Sequence, residues 1–288
     1  MDTQPAAPTR IDFVDAHGID IAAYAWEADD PHAVVQIAHG VGEHARRYGA
    51  FARALAANGF TVVADDHRGH GETGRSQYGG DLQRLGRLGP GGLRATEAAI
   101  RQLSDLSRER FGDLPLVMFA HSWGSLMAQR ILTREPRAFD GVVLSGSAYR
   151  SPLTMESGNL NRRWHAPDAN GFEWLSRDPE VQRAFLADPL CFEGEILKLF
   201  GLADALRLFG GPGRPAADVP LLIIAGEHDP LSRGDGLRRL ADAYRAQGVR
   251  DVTLRLYPEA RHELLNETNR DEATSDIVTW MLERFPRG

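Results

Sequence analysis

Ser122 stands where a short apolar run gives way to a helical pattern, and a serine at such a junction can serve as a nucleophile. The turn between strand and helix must be tight and needs small neighbours, and Ala120 and Gly124 lie two residues to either side. The same turn places the backbone N–H of Trp123 at a helix N-terminus, where it can stabilise a developing oxyanion. A serine that only caps a core helix has the same local pattern, so the rest of the chain must decide between a nucleophile and a helix cap.

Two residues that a serine nucleophile needs follow two later strand-like segments. Asp229 comes just after an apolar run that ends at Gly226, and His262 follows the last predicted strand. In an open parallel sheet the carboxyl ends of the strands share one edge, so we expect both side chains near Ser122. A neutral histidine takes the serine proton, and an aspartate orients the ring and stabilises the imidazolium. The sequence therefore predicts a triad of Ser122, Asp229 and His262.

Other residues compete for the same roles. Glu227 and Asp235 are the nearest alternative acids, and Asp229 itself precedes a proline and could be a turn residue. The preceding strand end, 145–148, offers no acid, which favours Asp229. His228 is an alternative base, but it would approach from the wrong strand.

The loop that begins at His39 could supply the second half of an oxyanion site. Glycines on both sides of Val41 let its backbone N–H approach a substrate closely, so we predict Val41 and Trp123 as the oxyanion donors. We expect the neighbouring His39, Gly40 and His121 to contact the bound substrate. A plain strand-to-helix turn would explain the same glycines.

Neither a metal nor a dinucleotide is expected. Four histidines lie in the loop that begins at His39 and in the glycine-rich segment 65–74, namely His39, His44, His67 and His70. They do not form a compact metal-ligand motif on one helix. The glycines of 67–71 do not follow the Gly-x-Gly-x-x-Gly pattern. We therefore predict no cofactor, and we expect these histidines to order the loops by hydrogen bonds.

The composition is that of a globular protein without a nucleic-acid surface. The chain has 288 residues, of which 42% are hydrophobic and 25% charged, and its formal net charge is -7. No basic stripe stands out, so we expect no nucleic-acid partner. Cys191 is the only cysteine, which excludes an internal disulfide. Residues 1–8 lack the pattern of a leader and no apolar run could cross a membrane, so we expect a cytoplasmic protein.

Strand-like and helix-like segments alternate along most of the chain. Strands are predicted at 11–14, 19–26, 33–38, 60–64, 115–119, 141–145, 219–226 and 252–257, and helices at 47–57, 92–111, 126–132, 233–247 and 271–284. A glycine-rich loop is predicted at 65–74. This alternation predicts an α/β fold with a mostly parallel sheet flanked by helices. Residues 148–217 lack a clear strand and are rich in large apolar side chains, so we interpret them as an inserted helical cap between two parts of one core, 1–147 and 218–288.

Several longer motifs resemble the monoacylglycerol lipase and lysophospholipase branch of the α/β-hydrolases. They occur in the family's order along nearly the whole chain: His39–Tyr48, Asp66–Gly71, the Ser122 turn, Asp178–Pro179, Asp188–Leu190, Gly226–Leu231 and Tyr257–Glu267. The first and the last are specific to the branch. The resemblance implies an α/β-hydrolase fold and a cofactor-free serine hydrolase. By the same resemblance, Ser122, Asp229 and His262 are the triad, and Val41 and Trp123 are the oxyanion donors.

The chain departs from this branch beside the nucleophile. The family usually has Gly-His-Ser-Met-Gly-Gly, and Ala120, Trp123 and Ser125 replace three of those residues. Trp123 is much larger than methionine and is expected to narrow the pocket next to Ser122. These departures concern the substrate rather than the reaction.

We therefore expect a serine carboxylic-ester hydrolase that works through an acyl-enzyme on monoacylglycerol-like or other lipid monoesters. The aromatic residues of the cap favour an apolar acyl chain or ring, and peripheral contact with a membrane is compatible with such a substrate.

Three alternatives stay open. The same machinery could cleave small, aromatic or carboxylate-bearing monoesters, and the cap has arginines that could pair with such a charge: Arg150, Arg162, Arg163 and Arg177. The protein could instead be a hydrolase-fold binding protein that has lost catalysis. Cleavage of an amide or a carbon–carbon bond is the third.

Overall fold

The computed structural model describes residues 7–213 and 218–287. Two sequence-based expectations touch the remaining residues: the absence of a leader, judged on residues 1–8, and the cap boundary at 217. Both stay predictions, as does the cytoplasmic location. Within the described ranges, no helix combines the length and the apolar character needed to cross a bilayer.

An eight-stranded sheet forms the centre of the protein, in the order β1-β4-β6-β5-β7-β8-β9-β10. The strands are β1 Thr9–Arg10, β2 Phe13–Val14, β3 Asp20–Ile21, β4 Ala23–Trp26, β5 Ala33–Ala38, β6 Phe60–Asp65, β7 Leu116–His121, β8 Gly141–Ser145, β9 Leu221–Gly226 and β10 Val252–Tyr257. The strands from β6 to β10 in this order run parallel, whereas β4 pairs antiparallel with β6 and β1 with β4. β2 and β3 form a separate antiparallel pair. The predicted mostly parallel sheet is confirmed.

Helices cover both faces of this sheet and bury the strands from β4 to β9 along their whole length, whereas the edge strands β1 and β10 are largely exposed or half-buried. The helices are α1 Gly49–Ala57, α2 Gly71–Gln77, α3 Gly92–Phe111, α4 Trp123–Arg134, α5 Pro179–Ala187, α6 Ile196–Arg207, α7 Gly236–Ala246 and α8 Arg270–Arg284. One apolar core lies between the sheet and α3, α4 and α7. A second core lies between the opposite face and α1 and α8. Short 3₁₀ helices occupy Ala45–Tyr48, Leu82–Arg84, Leu160–Trp164 and Leu264–Asn266.

Two local predictions were wrong. The glycine-rich loop predicted at 65–74 ends early, because α2 begins at Gly71 and the Asp66 carboxylate accepts the N–H of Glu72 at 2.8 Å. The strand predicted at 19–26 is broken at Ala22, whose N–H donates to the hydroxyl of Thr73 in α2 at 2.8 Å. In both places a side chain accepts a backbone N–H that the local pattern assigns to a loop or a strand: Asp66 lies 6 residues from Glu72, and Thr73 lies 51 residues from Ala22.

A long segment between β8 and β9, here called the insertion and described over 148–213, lies against the carboxyl edge of the sheet. It contains α5, α6 and one 3₁₀ helix, joined by irregular stretches. The N–H of Phe192 donates to the carbonyl of Gly42 at 3.0 Å, and His44 Nε2 lies 2.9 Å from Asp188 Oδ2. The insertion is therefore attached to the loop that follows β5.

Candidate active site

Ser122 occupies a strained turn between β7 and α4. Its φ of 52° and ψ of -122° lie in a region that non-glycine residues rarely adopt. The turn is held by the N–H of Ser122, which donates to the carbonyl of Ser145 at 3.0 Å, and by the hydroxyl of Ser125, which donates to the carbonyl of Ser122 at 2.6 Å. Strain of this kind persists only where neighbouring contacts enforce it, and here it raises the serine above the sheet.

Gly124 lets the first turn of α4 approach β5. A Cβ added to Gly124 would lie 2.3 Å from the carbonyl oxygen of Ala38 and 2.5 Å from that of His39. A side chain at this position would push α4 away from the sheet. The requirement for a small residue two positions after the serine therefore has a direct steric cause.

Asp229 and His262 form a buried pair at the same edge of the sheet. Asp229 follows β9 and His262 follows β10, and His262 Nδ1 lies 2.9 Å from both carboxylate oxygens. Asp229 Oδ1 also accepts the N–H of Leu231 at 2.9 Å, which fixes the carboxylate. The structure thus brings together two of the residues that the sequence placed in a triad.

The ring of His262 is held from both sides. It lies between His121 and Trp174, with ring centroids 4.7 Å and 4.8 Å away. Burial disfavours the charged ring, but the carboxylate of Asp229 outweighs burial, so the pKa of His262 lies above its ordinary value. The pKa of His121 falls to about 3, because burial and the neighbouring His262 both oppose a charge there. His262 is therefore the ring in this pair that can take a proton.

The second nitrogen of His262 is free. Nε2 is buried and has no hydrogen-bond partner among the described residues, so it is not bonded to the Ser122 hydroxyl in this structure. Contacts between a nucleophile and its base are often loose before substrate binds. The alternative acids predicted from the sequence do not bond to His262. Glu227 and Asp235 are exposed, and the carboxylate in contact with His262 is that of Asp229.

The loop after β5 lies directly beside the nucleophile. A Cβ added to Gly40 would lie 3.0 Å from Ser122 Cβ. In the described part of the chain, the N–H groups of Val41 and Trp123 have no backbone or side-chain acceptor. Two free N–H groups next to a serine hydroxyl are what an oxyanion site requires.

His39, Gly40 and His121 surround this position without being shown to touch a substrate. His39 is fully buried; its Nε2 accepts the N–H of His67 at 2.9 Å, and its Nδ1 donates to the carbonyl of Gly40 at 2.7 Å. Both ring nitrogens of His39 are thus engaged within the protein. Direct substrate contacts by these three residues stay predictions.

Sequence reasoning missed a buried charged network below the site. Arg47 lies 2.7 Å from Glu43 and donates two hydrogen bonds of 2.7 Å to Glu263. Glu43 also accepts the N–H of Gly40 at 2.7 Å. Burial opposes the charge of Glu263, but Arg47 outweighs it and lowers the pKa of that carboxyl to about 2. The network joins the loop of Val41 to the residue that follows His262.

One group of possible metal ligands lies in the described ranges. Donor atoms of His44, Asp188 and Cys191 are within 4.8 Å of one another. Two of them already bond to each other, since His44 Nε2 lies 2.9 Å from Asp188 Oδ2. Burial, the largest influence, raises the pKa of Cys191 far above its ordinary value, which opposes the thiolate that a metal needs. The absence of a metal stays a prediction.

The arginines considered for a charged substrate have other roles or point outward. Arg150 is buried and donates to Gln129 and to the carbonyls of Leu208 and Gly211. Arg177 pairs with Glu267, whereas Arg162 and Arg163 are exposed. Arg150 and Arg177 are therefore engaged within the protein, and the alternative of carboxylate-bearing monoesters stays open.

Comparison with known proteins agrees with the fold. A sequence model of the family described as serine aminopeptidase, S33, matches residues 29–269. A monoacylglycerol lipase of Mycolicibacterium smegmatis is 32% identical over 95% of this chain and 96% of its own. A carboxyl esterase of Bacillus coagulans superposes with a TM-score of 0.81 at 24% identity, over 97% of this chain and 99% of that one. A monoglyceride lipase of Saccharomyces cerevisiae superposes at 0.77 with 17% identity, over 100% and 98%.

The sheet, its flanking helices and the two solved relatives define an α/β-hydrolase fold. The family match covers most of the chain, and the mycobacterial relative aligns along nearly the full length of both proteins. The chain therefore belongs to the S33 serine hydrolase family, in the α/β-hydrolase branch that contains the monoacylglycerol lipases. The predictions of this branch and of a serine ester hydrolase are confirmed.

Proposed function

We propose that the protein hydrolyses lipid monoesters such as monoacylglycerols, with Ser122, His262 and Asp229 as its triad. One observation carries the proposal: the buried Asp229–His262 pair presents a free Nε2 at the sheet edge where a strained turn raises Ser122. A serine nucleophile needs such a base and such an orienting acid. The relative named as a monoacylglycerol lipase supports the substrate class.

In the proposed reaction, Ser122 Oγ attacks the ester carbonyl carbon while His262 Nε2 takes its proton. The carbonyl electrons move onto the oxygen, which the N–H groups of Val41 and Trp123 stabilise. The ester C–O bond then breaks, and the alcohol leaves with the proton from His262. A water molecule then gives a proton to His262 and attacks the acyl carbon. The bond from that carbon to Ser122 Oγ breaks, His262 returns the proton to Oγ, and the acid leaves.

We also propose that residues 148–217 act as a cap that lines the acyl side of the site. Phe200 of the insertion lies 4.9 Å from the ring of Trp123, and Phe192 lies 5.1 Å from that of His70. Apolar walls with a few polar groups are typical of sites for apolar small molecules.

The substrate class is tested by comparing mono-, di- and trioctanoylglycerol with a soluble p-nitrophenyl butyrate. We expect kcat/KM to be at least about tenfold higher for the monoester than for the triester, since one covered site has to accommodate the extra chains. A fluorophosphonate should label Ser122, as located by mass spectrometry of the digested protein.

Different results would point elsewhere. Turnover of p-nitrophenyl butyrate without any glyceride would indicate an esterase for small monoesters. No turnover of any ester and no labelling would contradict the proposal and favour a binding protein.

We further propose that the insertion contacts a lipid surface. Four of its leucines are between 51% and 65% exposed: Leu186, Leu197, Leu202 and Leu206. Leu202 and Leu206 are one turn apart on α6 and share a face. Exposed leucines at the covering segment of a lipid hydrolase would gain free energy by entering the interface of a bilayer.

The double variant Leu202→Ser/Leu206→Ser is expected to bind neutral phosphatidylcholine vesicles at least about fivefold more weakly, as measured by co-sedimentation, because it loses apolar area. Turnover of soluble p-nitrophenyl butyrate should stay unchanged. Leu282→Ser, at a leucine of α8 that is 37% exposed, serves as the matched control. Equal vesicle binding by all three proteins would overturn this proposal.

A further inference from the structure

Trp123 is the residue next to the nucleophile, and it is almost fully enclosed. The side chain is only 2% exposed. Its ring stacks on His70 at 5.1 Å, meets the edge of His67 at 5.7 Å and contacts Phe200 at 4.9 Å. Its Nε1 has no hydrogen-bond partner in the described part of the chain. Ring packing alone therefore holds the indole in place.

The sheet order shows on which side of the nucleophile this indole lies. Ser122 follows β7, and its candidate partners Asp229 and His262 follow β9 and β10, on one side of β7. The residues that pack on Trp123 from the core, His67 and His70, follow β6 on the other side. The leaving alcohol must depart towards His262, which protonates it. The acyl group therefore extends to the opposite side, where Trp123 lies.

The geometry points to Trp123, backed by Phe200, as the wall that ends the acyl site and makes the enzyme selective for short acyl chains. The inference rests on the proposed ester hydrolysis and adds the acyl length that the site accepts. A bulky side chain at the end of an apolar pocket discriminates strongly, since one methylene in excess changes kcat/KM by about 10- to 200-fold. Methionine, the usual residue of the branch at this position, is smaller and more flexible.

The two walls differ in how firmly they are held. Trp123 packs on His67 and His70, which belong to the core, so it stays in place if the insertion moves. Phe200 belongs to α6 and precedes a kink at Gly201, where φ is 76° and ψ is 168°. We therefore expect Trp123 to determine acyl length more strongly than Phe200 does.

The test compares p-nitrophenyl acetate, butyrate, octanoate, laurate and palmitate with the wild type, Trp123→Met and Phe200→Leu. The wild type should prefer butyrate or octanoate over laurate. Trp123→Met should raise the laurate-to-butyrate ratio of kcat/KM by at least about tenfold, and Phe200→Leu by less. The matched control is Trp164→Met, since Trp164 lies in the insertion against Arg261, with centroid distance 4.7 Å, and has no ring contact with Trp123.

The possible outcomes separate this inference from the proposed function. A wild type that prefers laurate or palmitate, or a Trp123→Met ratio equal to that of the wild type, overturns the inference while ester hydrolysis stands. If Trp123→Met does not fold, the wild-type profile and Phe200→Leu decide in the same way: a long-chain optimum, or an unshifted Phe200→Leu profile, overturns it. If the wild type turns over none of the esters, or turns them over equally well without Ser122, the proposed function is contradicted instead.

Discussion

A Ser122→Ala variant is expected to lose about 10⁵- to 10⁶-fold in kcat on any ester that the wild type cleaves. The substitution removes the hydroxyl that attacks the carbonyl. It keeps the Cβ and therefore the same backbone conformation, with φ at 52°. Thermal unfolding should differ little from that of the wild type, since the hydroxyl is the only group removed. The measurement is steady-state turnover of p-nitrophenyl butyrate, with circular dichroism to verify the fold.

Asp229→Asn provides the companion measurement. Loss of the carboxylate removes the group that orients His262 and stabilises its charge, and it should lower kcat by about 10⁴-fold. The double variant with Ser122→Ala should be no slower than Ser122→Ala alone, because the triad acts as a unit. Losses that simply multiply would show that Ser122 and Asp229 do not act as one unit, and a Ser122→Ala variant with wild-type turnover would show that another residue is the nucleophile.

The pH dependence of the same variants identifies the base. The neutral ring of His262 is the active form, so activity falls as the pH drops through its pKa. In the wild type Asp229 outweighs burial and raises that pKa above its ordinary value. In Asp229→Asn the largest influence that raises this pKa is lost while burial remains, so the pKa should fall and the acid limb of the residual kcat/KM should move to lower pH. An unchanged limb would mean that the base is not His262.

The positions of the candidate catalytic residues could be predicted because each depends on one local pattern. A strand that ends at Ser122 and continues as a helix permits few geometries. Asp229 and His262 needed only the rule that parallel strands present their carboxyl ends at one edge. The structure places these two side chains in hydrogen-bond contact, at 2.9 Å.

Other features depend on contacts between distant residues and could not be predicted in this way. Arg47 and Glu263 are 216 residues apart, and no local pattern indicates that their side chains meet. The break of the predicted strand at Ala22 depends in the same way on the hydroxyl of Thr73, 51 residues away, which accepts the N–H of Ala22. A period or a turn signal describes neighbours in sequence, whereas these bonds form only once the sheet has brought the loops together.

The second large expected effect is a loss of folding stability when the charged network around Arg47 is broken. Arg47→Met should lower the free energy of unfolding by about 3–5 kcal/mol near neutral pH, because Glu43 and Glu263 would be left buried without a compensating charge. Both carboxylates lie deep, and Arg47 itself is only slightly exposed. Urea unfolding followed by fluorescence measures the change. Arg75→Met, at an exposed pair with Glu72, is the matched control and should change stability by less than about 1 kcal/mol.

The direction of the pH dependence follows from the pKa of Glu263, which Arg47 holds at about 2 against the effect of burial. A lowered pKa stabilises the folded state above the ordinary pKa of the carboxyl and loses that contribution as the pH falls towards about 2. Without Arg47, burial acts on Glu263 without its largest opposing influence, so the pKa of that carboxyl rises and it takes up a proton more readily in the folded variant. The stability difference between wild type and Arg47→Met should therefore be largest near pH 7 and shrink as the pH falls below about 5.

A second substitution separates lost charge from lost packing. Glu263→Gln in the Arg47→Met background removes one uncompensated buried charge, and it should recover part of the lost stability near neutral pH. Because Glu43 also holds the N–H of Gly40 beside the nucleophile, kcat should fall in Arg47→Met and recover with stability in the double variant. A double variant no more stable than Arg47→Met would assign the loss to packing of the Arg47 stem. An Arg47→Met variant as stable as the wild type would mean that other groups compensate the charges of the buried carboxylates without Arg47.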